Sequence, residues 1–169
     1  LNNIVKKKEI EQNDWRTIGD TDEITISTMK NIISGIDYKY DDNKRILYLK
    51  IDQADNDGRT PLYRATDEGH KEIVRMLIDA GADINKAKAR DDGETPLLQA
   101  SFKGHKEIVR MLIEADVDVD KADNDGRTPL YLASVKDHKE IVRMLIDAGA
   151  DLNKARDDGR TPLYMASVE

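Results

Sequence analysis

Three histidines recur at the same place in a repeated sequence, and their spacing raises the question of a metal site. His70, His105 and His138 each begin the stretch HKEIVRMLI, at intervals of 35 and 33 residues. Zinc requires its ligand nitrogens at about 2.0–2.1 Å, whereas equivalent helices of stacked repeats lie about 8–10 Å apart. One ion therefore cannot bind all three imidazoles. We predict no metal site, and a histidine that bonds nearby backbone in each copy.

The aspartate-rich turns suggest calcium binding, because DNDG occurs at 55–58 and again at 123–126. An EF-hand loop requires glycine at its sixth position and a bidentate glutamate at its twelfth. Counting from Gly58 and Gly126 places Arg64 and Leu132 at the twelfth position. These turns therefore do not fit an EF-hand.

Composition and motifs favour no catalytic chemistry. The sequence contains neither Gly-x-Ser-x-Gly nor a P-loop pattern, and no Ser or Thr stands at a recognisable spacing from a His and a carboxylate. A net charge of −7 argues against general polyanion binding. No apolar run approaches the roughly 20 residues that span a bilayer. We therefore predict a protein that is not an enzyme, has no cofactor, and binds neither nucleic acid nor membrane.

The elements that hold these residues recur with a fixed period. HKEIVRMLI occupies 70–78, 105–113 and 138–146, and Thr-Pro occurs at 60, 95, 128 and 161, giving intervals of 35, 33 and 33 residues. A period of this size predicts a stacked repeat architecture. Each copy starts with a turn, after which threonine caps a short helix and proline occupies its first turn. A second helix is predicted from about Lys71 to Ala80, with one apolar stripe that only a neighbouring copy can cover.

The patterns G-x-T-P-L-x-x-A, G-H-x-x-I-V-x-x-L-I and G-A-D-x-N resemble the ankyrin repeat over about 53–169. The resemblance implies a mainly α-helical ankyrin-repeat solenoid, with three full units starting near 55, 90 and 123 and a partial fourth from 156. The sequence departs from the family pattern where Tyr63 and its equivalents replace histidine. Asp116 and Asp137 replace glycine. Glu169 falls inside the fourth unit, so we expect the chain to be a fragment of a longer protein. The absence of cysteine fits a reducing compartment, and we expect an intracellular, most simply cytoplasmic, location.

Residues 1–52 lie outside the period, and two alternatives stay open for them. The stretch YKYDDNKRILYLKI at 38–51 alternates around a polar turn and predicts a β-hairpin, while TMKNIISG at 28–35 predicts a short helix. The competing interpretation is a degenerate helical unit. Either form is expected to cover the exposed face of the first repeat, or to be the end of an upstream domain.

Candidate binding residues follow from comparing the copies with one another. The second helices are identical over nine residues and are therefore predicted to be structural, whereas four positions of the turns and first helices vary. By resemblance, these positions lie at turn tips and on the exposed side of the first helices. Neutral drift on a solvated surface would also produce such variation. The candidates are Arg59, Arg64, Gln99, Phe102, Lys103, Arg127, Leu132, Val135, Lys136 and Arg160.

The resemblance implies that the chain binds another protein, as a monomer, along the concave face of the repeats. The alternatives are a non-catalytic fragment that recruits substrate for a larger multidomain enzyme, and a passive spacer. Phe102 is the only phenylalanine and lies in a variable position, so we predict an exposed anchor there, with Leu132 and Val135 extending the apolar patch. The rival interpretation packs Phe102 between units as core.

Overall fold

The computed structural model describes residues 15–18, 23–41, 46–88, 93–154 and 158–162. The part before the repeats contains strand β1 (Trp15–Ile18), helix α1 (Glu23–Ile32), strand β2 (Tyr38–Asp41) and strand β3 (Ile46–Lys50). Three helix pairs follow: α2 (Pro61–Asp67) with α3 (Lys71–Asp79), α4 (Pro96–Lys103) with α5 (Lys106–Glu114), and α6 (Pro129–Val135) with α7 (Lys139–Asp147). The predicted mainly α-helical repeat solenoid is confirmed.

The first helix of each pair begins at the Thr-Pro dipeptide, as predicted. The Thr60 hydroxyl accepts a hydrogen bond from the backbone N–H of Tyr63 at 3.1 Å, and Thr95 and Thr128 do the same for Leu98 and Tyr131. Each threonine is buried, so its hydroxyl satisfies an N–H that water cannot reach.

One hydrophobic core runs through the described repeats and continues into the segment before them. Leu62, Leu97 and Leu130 occupy the same position in the three first helices and are at most 1% exposed. Ile33 and Leu49 from the N-terminal segment belong to the same buried cluster. The repeats and this segment therefore bury apolar surface against one another, as expected of stacked units.

The N-terminal segment contains the predicted hairpin within a larger sheet. Strand β3 pairs antiparallel with β2 on one side and with β1 on the other, in the order β1–β3–β2. The helix predicted at 28–35 instead spans Glu23–Ile32. The β-branched residues Ile24, Thr25, Ile26 and Thr28 have weak helix propensity, but burial of Met29 and Ile32 overrides that preference. The predicted boundary at 52/53 stays a prediction.

Successive units are joined by the same pair of hydrogen bonds, which we name the joint ladder. In each joint an Asp or Asn side chain accepts from a backbone N–H about one unit later, and its own carbonyl accepts from a lysine ammonium. The side-chain bonds are Asp83 N–H to Asp52 at 2.9 Å, Asp118 N–H to Asn85 at 3.0 Å and Asp151 N–H to Asp120 at 2.9 Å. The lysine bonds are Lys86 to the Asp52 carbonyl at 2.8 Å, Lys121 to that of Asn85 at 2.7 Å and Lys154 to that of Asp120 at 2.6 Å. Asp52 thus gives the first repeat the same joint as the others.

Asp116 closes helix α5 in a left-handed conformation, with φ at 63°. Its counterparts in the other units are Gly81 and Gly149, which carry no Cβ at this conformation. We expect Asp116→Gly to raise the free energy of unfolding by a few tenths to about 1 kcal/mol, since the strain of a Cβ at positive φ is removed. Urea melts of the two proteins measure this gain. An unchanged midpoint would show that the Asp116 side chain offsets its own strain.

Candidate partner-binding surface

The C-terminal ends of α4 and α6 carry two exposed apolar side chains at equivalent positions. Phe102 is 38% exposed and Val135 is 40% exposed, and each is followed by an exposed lysine, Lys103 or Lys136. These four residues are called the Phe102 surface below. The exposure of Phe102 excludes the interpretation that it packs between the units as core.

The aromatic ring of Phe102 is covered on one side by the next unit. The Lys136 ammonium lies 4.5 Å from the ring centroid, within the range of a cation–π interaction. The Phe102 backbone carbonyl also accepts a hydrogen bond at 3.2 Å from Nε2 of His138. Both contacts connect the second and third units, so the aromatic ring is held by the stacking of the repeats.

Lys103 differs from Lys136 because it has a carboxylate partner within the fold. Its ammonium lies 3.3 Å from Oδ1 of Asp67 in the first unit. The same Asp67 oxygen accepts a hydrogen bond from the Gln99 side-chain amide. Gln99 and Lys103 therefore both stabilise the joint between the first and second units.

Three of the four residues at one variable position face the preceding unit. Arg64 donates a hydrogen bond at 3.2 Å to the carbonyl of Ser34 in the N-terminal segment, just as Gln99 contacts Asp67. Leu132 is only 9% exposed and belongs to a buried cluster with Leu98 and Tyr131. The expectation that Leu132 extends the exposed apolar patch is therefore wrong, because the side chain packs against the second unit. The fourth member of this position, Met165, lies outside the described residues.

The arginines at the turn tips pair with aspartates of their own turns. Arg59 Nε lies 3.1 Å from Asp55, and Arg127 Nε lies 2.6 Å from Asp123. Burial alone would lower the pKa of Arg127, but the hydrogen bond and charge of Asp123 raise it instead. Arg160 has a looser pair, 3.7 Å from Asp158. Arg59 and Arg127 therefore help to hold the turn conformation.

The tyrosine that replaces the family histidine makes a contact between units. The Tyr63 hydroxyl donates a hydrogen bond at 2.6 Å to the carboxylate of Glu94, the residue equivalent to Arg59 one unit later. Tyr63 is 4% exposed. The sequence contained a signal for this contact, because tyrosine at this position is longer than the family's histidine and can reach the turn of the next unit.

Two of the three recurrent histidines also connect neighbouring units. Nε2 of His105 bonds the Asp67 carbonyl at 3.4 Å, and Nε2 of His138 bonds that of Phe102, in each case across a joint. His70 instead bonds the Glu68 carboxylate at 3.2 Å. The predicted bond from each histidine to nearby backbone is therefore wrong for His70. For His105 and His138 the acceptor is a backbone carbonyl, but it belongs to the preceding unit. Within the described ranges no cluster of three or more His, Asp or Glu side chains is arranged to hold a metal.

None of the helices described above is long and apolar enough to cross a lipid bilayer.

Stacked pairs of helices whose exposed residues differ from one unit to the next define a helical repeat protein. A sequence model of ankyrin repeats matches the chain in three copies, at residues 36–88, 85–156 and 123–169. The chain therefore belongs to the ankyrin-repeat family, whose members are generally protein–protein interaction modules. The first match begins inside the N-terminal segment, which also supplies Asp52 to the joint ladder. No curated protein matches the sequence.

Proposed function

We propose that this chain is a non-catalytic protein-binding module that holds its partner across the second and third units, at the Phe102 surface. The observation that carries the proposal is the exposure of Phe102 and Val135 on equivalent positions of neighbouring helices. Exposed apolar side chains on neighbouring helices mark a candidate interaction site, and aromatic residues dominate the energetics of protein interfaces. Family membership independently supports a binding role.

The contacts described above narrow the candidate residues. Arg64, Gln99 and Leu132 face the preceding unit, and Arg59 and Arg127 pair within their turns. These five residues retain a structural duty in the free protein. The side chains of Phe102, Val135 and Lys136 are exposed and make none of these contacts, so we place the centre of the interface there.

The test begins with selection of short displayed peptides on the wild-type protein. Phe102→Ala is expected to weaken binding of the enriched peptides by about 2 kcal/mol, roughly thirty-fold, because an anchor at the centre of an interface is removed. The melting temperature should change little, since the ring is not part of the core. Tyr38→Ala is the matched control, because it removes a similarly exposed aromatic side chain from β2.

Titration calorimetry measures both affinities. Enriched peptides that bind Phe102→Ala as well as the wild type would contradict the proposal. An unfolded Phe102→Ala protein would contradict the assignment of Phe102 to the surface.

A further inference from the structure

The two lysines of the Phe102 surface have different electrostatic environments. Lys103 is paired with Asp67, whereas no ion pair among the described residues includes Lys136. The carboxylate next in sequence to Lys136 is Asp137, which lies 3.4 Å from the Lys139 ammonium. Lys136 is therefore a surface cation whose ammonium lies over an aromatic ring.

The two carboxylates at the C-terminal end of α2, Asp67 and Glu68, also have partners within the fold. Asp67 is shared by Gln99 and Lys103, and Glu68 lies 3.2 Å from His70 and 3.9 Å from Arg64. The Phe102 surface thus combines an exposed ring, an exposed valine and one ammonium without a carboxylate partner in the described part of the chain.

We propose that the partner presents a peptide segment in which an aspartate or glutamate lies beside an apolar side chain. The carboxylate pairs with the Lys136 ammonium, and the apolar side chain packs on the free side of the Phe102 ring and on Val135. This inference rests on the proposed function and specifies the chemistry of its ligand. Lys136 is then the residue that selects acidic segments, because a charge-assisted pair is stronger than a neutral hydrogen bond.

The overall charge of −7 does not prevent an acidic peptide segment from binding at Lys136. At physiological ionic strength the screening length is about 8 Å, so distant carboxylates contribute little to the potential at Lys136. The groups within that distance of Lys136 therefore decide which ligand binds. One of them is the Phe102 ring, over which the ammonium lies. Salt should therefore weaken binding through the local pair.

The test is a double-mutant cycle with one enriched peptide that binds the wild-type protein in a Phe102-dependent way. Lys136→Gln and replacement of the peptide carboxylate by its amide should each lower affinity about tenfold, and together they should cost little more than either alone. Lys136→Arg should retain the dependence on the carboxylate. Lys71→Gln is the matched control and should change affinity by less than about twofold, since Lys71 lies in the first unit outside the Phe102 surface and pairs with Glu72.

Two results would overturn the inference in distinguishable ways. If Lys136→Gln binds the acidic and amide peptides with wild-type affinity, Lys136 does not select the ligand, while the proposed function stands. If the affinity of every enriched peptide is independent of Phe102, both the inference and the proposed function fail.

Discussion

Gly104→Ala is expected to lower the free energy of unfolding by about 3 kcal/mol, combining backbone strain with a steric overlap. Gly104 has φ at 80°, and a Cβ built there would lie 2.8 Å from Cε1 of His138 in the next unit. The imidazole would have to move, and its bond to the Phe102 carbonyl would lengthen or break. Denaturant unfolding of the two proteins measures the loss.

Gly81→Ala is the matched control for this prediction. Gly81 has φ at 84°, but a Cβ there would have no atom within 4 Å, so only the backbone strain of about 1 kcal/mol applies. In a His138→Ala background the cost of Gly104→Ala should fall to that of Gly81→Ala. Equal costs for the two glycines in the wild-type background would show that the histidine gives way without penalty.

Asp55→Ala is expected to cost about 2–3 kcal/mol, because the Asp55 carboxylate holds the first turn together. It accepts hydrogen bonds from the backbone N–H groups of Asp57 at 3.0 Å and Arg59 at 2.9 Å, and it also pairs with the Arg59 guanidinium. Its side chain is 5% exposed, so water does not readily replace these bonds. Asp57→Ala is the control, because the Asp57 side chain is 63% exposed and its loss should cost less than about 1 kcal/mol.

The stability that Asp55 supplies should depend on pH. Burial alone would raise the pKa of the Asp55 carboxyl, but the backbone hydrogen bonds of Arg59 and Asp57 and the Arg59 charge lower it below the usual 3.8. The contribution is therefore complete above about pH 4 and is lost as the pH falls through the folded-state pKa. Asp55→Asn should remove this part of the acid dependence. An unchanged difference between Asp55→Asn and the wild type from pH 5 to pH 2 would contradict the assigned pairing.

The architecture was predictable because its signals are periodic. Thr60, Thr95 and Thr128 each mark a helix start by the same local chemistry, and identical second helices predict identical packing. The exposure of Phe102 followed from comparing equivalent positions in the copies. Such conclusions need only local chemistry and the repeat period.

The contacts between units were predicted less well because they depend on what each side chain faces. Arg64, Gln99 and Leu132 vary since they meet different surfaces, namely the Ser34 carbonyl, Asp67 and Leu98. Variation between the copies was therefore wrongly interpreted as evidence that these three residues have no structural role. The role of Asp52 was missed because it precedes the first Thr-Pro, although an apolar residue followed by Asp or Asn recurs at 51–52, 84–85, 119–120 and 152–153.

The joint ladder has a consequence for the evolution of chain length. Its donors and acceptors are equivalent at Asp52, Asn85 and Asp120, so any described joint offers the next unit the same bonds. Recombination between the identical stretches at 55–63 and 123–131 would delete or duplicate 68 residues, which is two units. After such a deletion Asp52 would face Asp151 and Lys154 in place of Asp83 and Lys86. Gene variants that differ in repeat number can therefore arise in one step with the joint ladder intact, although Leu132 would then replace Arg64 opposite the Ser34 carbonyl.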